Sequence, residues 1–101
     1  MYLFGDFDRA LFRRAECAWG INAQYQMLVE EATELALATL KFMRHSGSGT
    51  TTIDLIDEMA DVEIMIAQVR ELHDGDNWLG KAVDERIVYK LIRLANRLEK
   101  E

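Results

Sequence analysis

Two short acidic motifs carry the chemistry open to this chain. Glu30-Glu31-Ala-Thr-Glu34 and Glu58-Met-Ala-Asp61 each set carboxylates three residues apart, a spacing that makes side chains neighbours on a helix surface. Around the second motif, Leu55, Val62, Met65, Ile66, Val69 and Leu72 form an apolar helical stripe. Glu58 falls inside that stripe, and Asp61 sits about 60° away at its edge. On the first motif Glu31 borders the stripe of Leu28, Ala32 and Leu35, with a flank that continues through Gln24, Met27 and Ala38. Ionised carboxylates crowded against apolar surface need a cation partner or a metal. Oxygen ligands with neither Cys nor His among them select a hard ion, Mg²⁺ or its substitute Mn²⁺. A carboxylate di-iron centre would use Glu-x-x-His, and neither His45 nor His73 follows a Glu at that distance. A lone acidic pair is ordinarily solvated surface, and ion pairing with Lys90 or Arg93 is the competing structural account. The joint placement of two pairs favours the metal.

Four helices are expected to position these groups. The first runs from about Asp8 to Trp19, with Leu11, Phe12 and Ala15 inward and Gly20 as its stop. The second runs from Ile21 or Asn22 to Arg44, its apolar face recurring at Ile21, Tyr25, Leu28, Ala32, Leu35, Thr39 and Phe42. His45-Ser-Gly-Ser-Gly-Thr-Thr reads as a polar linker, after which Thr51 and Asp54 form a capping box opening the third helix, which ends near His73. Asn77 is expected to cap the fourth, which continues to about Lys100 along Val83, Ile87, Leu91, Leu94 and Leu98. Short connections between amphipathic helices predict an all-α, antiparallel four-helix bundle protomer, residues 1–101 forming one domain.

Composition narrows the function further. The chain has 101 residues, 50% hydrophobic and 30% charged, with one Cys and no Pro. Cys17 has no partner for a disulfide or a CxxC zinc site, which fits a reducing, cytoplasmic setting. The longest uncharged stretch, Cys17 to Val29, is interrupted by Asn22, Gln24 and Gln26 and falls short of the roughly 18 apolar residues of a membrane span. Acids near Met1 predict no secretory leader. A net charge of −6 disfavours a nucleic-acid binder. Residues 46–76 hold eight acids against one base, and residues 77–101 six bases against four acids, so the third helix is acidic and the fourth basic. Gly47-Ser-Gly49 lacks the Lys and the spacing of a P-loop.

The two acidic motifs together resemble the EExxE…ExxD signature of the MazG-like all-α nucleoside triphosphate pyrophosphohydrolases. The likeness extends through Trp19-Gly20, Gln24, Asp61-Val-Glu-Ile-Met65 and the basic tail Lys90-Leu-Ile-Arg93-Leu-Ala-Asn-Arg97, most of residues 19 to 98. It implies Mg²⁺-dependent hydrolysis of a nucleoside triphosphate to monophosphate and pyrophosphate, in a homodimer or homotetramer with sites near subunit interfaces. Glu31, Glu34, Glu58 and Asp61 match the family's metal ligands. Glu30 matches the first acid of the signature; it points away from Glu31 on the wheel, and water-activating base is one of its readings beside second-metal ligand and structural partner. Lys90 and Arg93 are expected to meet the phosphates, with Lys81 behind them. Trp19, Gln24 and Trp78 could form a base pocket by stacking and amide hydrogen bonds, although packing is the commoner fate of a Trp. The competing class of function is a non-catalytic helical oligomerisation module that pairs its acidic and basic helices.

Overall fold

The computed structural model describes residues 4–45, 48–72 and 78–101. Four α-helices account for them, and no strand occurs among the described residues: α1 Asp6–Trp19, α2 Ile21–Arg44, α3 Gly49–Arg70 and α4 Trp78–Glu99. None is long and apolar enough to cross a membrane.

Helix α1 starts at Asp6, which the sequence reading of about Asp8, with Phe7 or Asp6 near the start, includes. The Asp8 carboxylate accepts a hydrogen bond from the Gly5 amide at 3.0 Å, satisfying a donor that the first turn leaves without a partner. Phe12 is buried and Phe4 meets it edge-on, ring centroids 5.6 Å apart. The helix stops at Gly20, whose φ of 87° and ψ of 164° lie in a region essentially reserved for glycine. Nothing within 4 Å would obstruct a Cβ there, so the residue is required by backbone conformation, not by space. The chain turns at that one residue and re-enters a helix.

Helices α2 and α3 form a hairpin that makes most of the tertiary contacts. Its seam differs from the stripe expected on α2: Gln24 and Ala38 are buried, while Tyr25 and Ala32 are exposed. The flank of the predicted stripe is therefore its centre, because α3 approaches on the side that carries Gln24, Glu31 and Ala38. Thr39 tolerates its half-buried place by donating to the Leu35 carbonyl at 2.7 Å. Met65 on α3 and Leu72 just beyond its end are buried as expected, whereas Ile66 is exposed. The start of α3 also corrects the sequence reading. Ser48 is the N-cap, Gly49 and the three threonines already lie in the helix, and the Thr52 amide bonds the Ser48 carbonyl at 2.9 Å. Thr51 instead shares a 2.9 Å hydroxyl contact with Ser48. The expected helix end near His73 and the Asn77 cap lie outside the described residues.

The C-terminal end of α3 ties the other helices on. Arg9 of α1 pairs with buried Glu71 at 3.2 Å, and Arg70 reaches the Gly80 carbonyl at 3.3 Å and Asp84 at 2.6 Å on α4. Beyond that anchor α4 stands free: every residue from Asp84 to Glu101 is exposed. The radius of gyration is 16.3 Å, against about 13 Å for a compact chain of this length. The accessible surface, 7630 Å², exceeds the roughly 5,900 Å² of a compact monomer of this mass.

Candidate metal centre

The antiparallel hairpin sets a register that brings the two acidic motifs face to face. Stepping three residues forward on α2, from Glu31 to Glu34, corresponds to stepping three back on α3, from Asp61 to Glu58. Glu31 and Asp61 lie side by side across the seam, and so do Glu34 and Glu58. One oxygen from each of Glu31, Glu34 and Glu58 falls within 4.8 Å of the others. Oxygens opposite one another around a Mg²⁺ ion lie about 4.2 Å apart, twice a bond of 2.0–2.1 Å, so small side-chain adjustments suffice to enclose one.

Two observations mark these acids as more than solvated decoration. The Oε2 atoms of Glu31 and Glu58 are buried and have no hydrogen-bond partner, a costly state for an ionised group. Burial first, then the negative charge of Glu34 and Asp61 and, least, of Glu30, raises the Glu31 pKa above the ordinary 4.5. The same order of causes, with Glu34, Glu31 and Asp61 as repelling neighbours, raises Glu58. The ion pairs among the described residues, Arg9–Glu71 and Arg70–Asp84, lie elsewhere. A hard divalent cation matches this donor set in charge, ligand chemistry and span.

No family model matches the chain, and no curated protein or solved structure matches it. The arrangement of its own residues therefore carries the functional argument.

The remaining site residues fall differently from expectation. Glu30 is exposed and outside the convergent set. Lys90 and Arg93 lie on the free part of α4, exposed and without an ion pair among the described residues, because α4 leaves the hairpin after its first turns. Lys81 is exposed near the start of α4. Trp19 and Trp78 are exposed, while Gln24 is 0% exposed with neither amide atom bonded. Sequence reading missed a cleft of about 200 Å³ beside the carboxylates, lined by Glu34, Ala38, Lys41, Thr51, Asp54 and Glu58 among others. It also missed Gln68, whose buried Oε1 has no partner. The antiparallel register was the signal that would have found both.

Proposed function

We propose that this chain is a Mg²⁺-dependent nucleotide pyrophosphohydrolase of the MazG-like kind, converting a nucleoside triphosphate to the monophosphate and pyrophosphate. The observation that carries the reading is the convergence of Glu31, Glu34 and Glu58 beside Asp61, with buried carboxylate oxygens that nothing in the chain satisfies. The motif likeness supplies the reaction class, since geometry alone is equally compatible with other metal-assisted phosphate chemistry.

The four carboxylates would hold the ion, which when bound would supply neutralisation of phosphate charge and orientation of the attacking water. The protein's own contribution is rigidity: both acidic pairs sit on the middle turns of long helices, so the donors are fixed before substrate arrives. Glu30, exposed and outside the converging trio, is assigned no step. The apolar residues of α4 and its positive charge complement the acidic α3, which supports closure of the bundle in a homodimer or homotetramer. In that assembly Lys90 and Arg93 of one copy are available to the phosphates bound by another.

The exposed face of α4 also favours the second reading, a non-catalytic oligomerisation module. Metal titration separates the two. Millimolar Mg²⁺ or Mn²⁺ should raise the melting temperature of an enzyme, because binding stabilises only the folded chain, and should leave an ion-pair bundle unchanged. A panel of nucleoside triphosphates with Mg²⁺ then tests the chemistry. Monophosphate plus pyrophosphate is the expected product pair, and orthophosphate plus diphosphate would overturn the assignment.

A further inference from the structure

The register that pairs Glu34 with Glu58 continues in both directions along the seam. Seven residues on along α2 lies Lys41, and seven back along α3 lies Thr51; both line the cleft that Glu34 and Glu58 border. Seven residues before Glu31 lies Gln24, and seven after Asp61 lies Gln68; both carry buried amide atoms without a partner. The seam thus reads in order as an amide end, a carboxylate centre and an ammonium–hydroxyl end.

We infer that Lys41, with Thr51 across the seam, receives the terminal phosphate of the substrate, which therefore lies along α2 and α3 with its base toward Gln24 and Gln68. The inference rests on the nucleotide reading above and adds a phosphate contact and a direction to it. Cleft size, chemistry and direction support it separately. At about 200 Å³ the cleft is smaller than the 300–1,000 Å³ typical of sites for whole organic ligands, so it suits part of a nucleotide. Its lining offers a cation and a hydroxyl and no aromatic ring, which fits phosphate and not a base. Side chains on a helix lean toward its N-terminus, and for Lys41 that direction leads back along α2 toward Glu34.

Lys41 is exposed and forms no ion pair among the described residues, so its charge is available to a ligand. Asp54 adds a third carboxylate to Glu34 and Glu58 in the cleft. Free phosphate would be repelled there, and a phosphate chain already carrying Mg²⁺ would not. At the other end an amide presents both donors and an acceptor, the combination a base edge can meet.

Inorganic tripolyphosphate with Mg²⁺ is a probe that needs no knowledge of the base. Calorimetric titration should find it bound by the full chain, about tenfold more weakly by Lys41→Ala, and within about threefold of the parent by Lys41→Arg. Mn²⁺ affinity and melting temperature should be the same in all three proteins, since Lys41 is exposed and is not a ligand. Orthophosphate without Mg²⁺ should bind neither the parent nor Lys41→Ala, since Glu34, Asp54 and Glu58 in the cleft repel it. Equal binding of tripolyphosphate to the parent and Lys41→Ala would overturn the inference and leave the metal site and the hydrolase reading standing. A parent chain that takes Mn²⁺ but no tripolyphosphate would overturn the inference and the nucleotide reading together, and one that takes neither would remove the metal centre as well.

Discussion

The raised pKa values of Glu31 and Glu58 make the carboxylate cluster a stability liability at neutral pH without a bound cation. A carboxylic acid whose folded pKa lies above its unfolded value binds protons more tightly in the folded state. Its favourable contribution is complete below the unfolded pKa near 4.5 and is lost as pH rises through the folded pKa. Glu58→Gln removes that dependence, so in chelator at pH 7 the variant should melt above the parent, with the gap closing as pH falls toward 4.5. Thermal melts of both proteins across that range check it, and a constant gap would contradict the burial-plus-repulsion account. With Mg²⁺ present the ranking should reverse, since only the parent keeps all its ligands. Turnover separates Glu30 from its neighbour: Glu31→Gln should lose at least about a hundredfold, whereas Glu30→Gln should stay within about threefold. The convergence of Glu31, Glu34 and Glu58 was legible in part, because spacing of three on an amphipathic helix fixes a shared direction. Glu30 points away from Glu31 on the same wheel, and its exposed position is in keeping with that direction.

At the level of elements, helix existence was written in the apolar periodicity, and the break between α1 and α2 in one glycine. Gly20→Ala should lower stability by about 1 kcal/mol or more, because the backbone at φ 87° admits alanine only with strain; denaturant unfolding at constant slope would measure it. Helix ends were less legible. Ser48 is the N-cap of α3 in place of Thr51, and it makes no side-chain cap hydrogen bond, so the hydroxyl pattern of the Ser and Thr run did not mark the boundary. The center of the α2 face was misplaced for a related reason: Tyr25 and Ala32 extend the apolar stripe, but Gln24 and Ala38 face α3. Periodicity reports that a face is apolar, and only the partner helix decides which edge of it is buried. Buried Gln24, with neither amide atom bonded, follows from that choice. Gln24→Met should raise stability by about 1–3 kcal/mol by removing unsatisfied polar atoms while weakening nucleotide binding, a split that melts and titrations on one variant would display.

For the whole molecule, the 7630 Å² surface exceeds that of a compact monomer by roughly 1,700 Å², about twice the ~800 Å² that one partner buries in a standard protein–protein interface. Leu91 and Ile92 lie in the exposed run of α4 and are among its large apolar side chains in water. Leu91→Glu combined with Ile92→Glu should convert the expected dimer or tetramer to monomer in light-scattering chromatography, with little loss of helix content because the hairpin does not depend on α4. The amphipathic pattern of α4 made its need for a cover legible in the sequence; whether that cover comes from the same chain was not, since a stripe carries no address. In the proposed assembly, where another copy completes α4, protein abundance becomes a control variable. Each chain then gains stability and phosphate-binding cations by mass action, so specific activity should fall on dilution below the association midpoint and recover on reconcentration. Mixing the parent with an excess of Glu58→Gln subunits would likewise silence or spare neighbouring sites according to how many copies build each one.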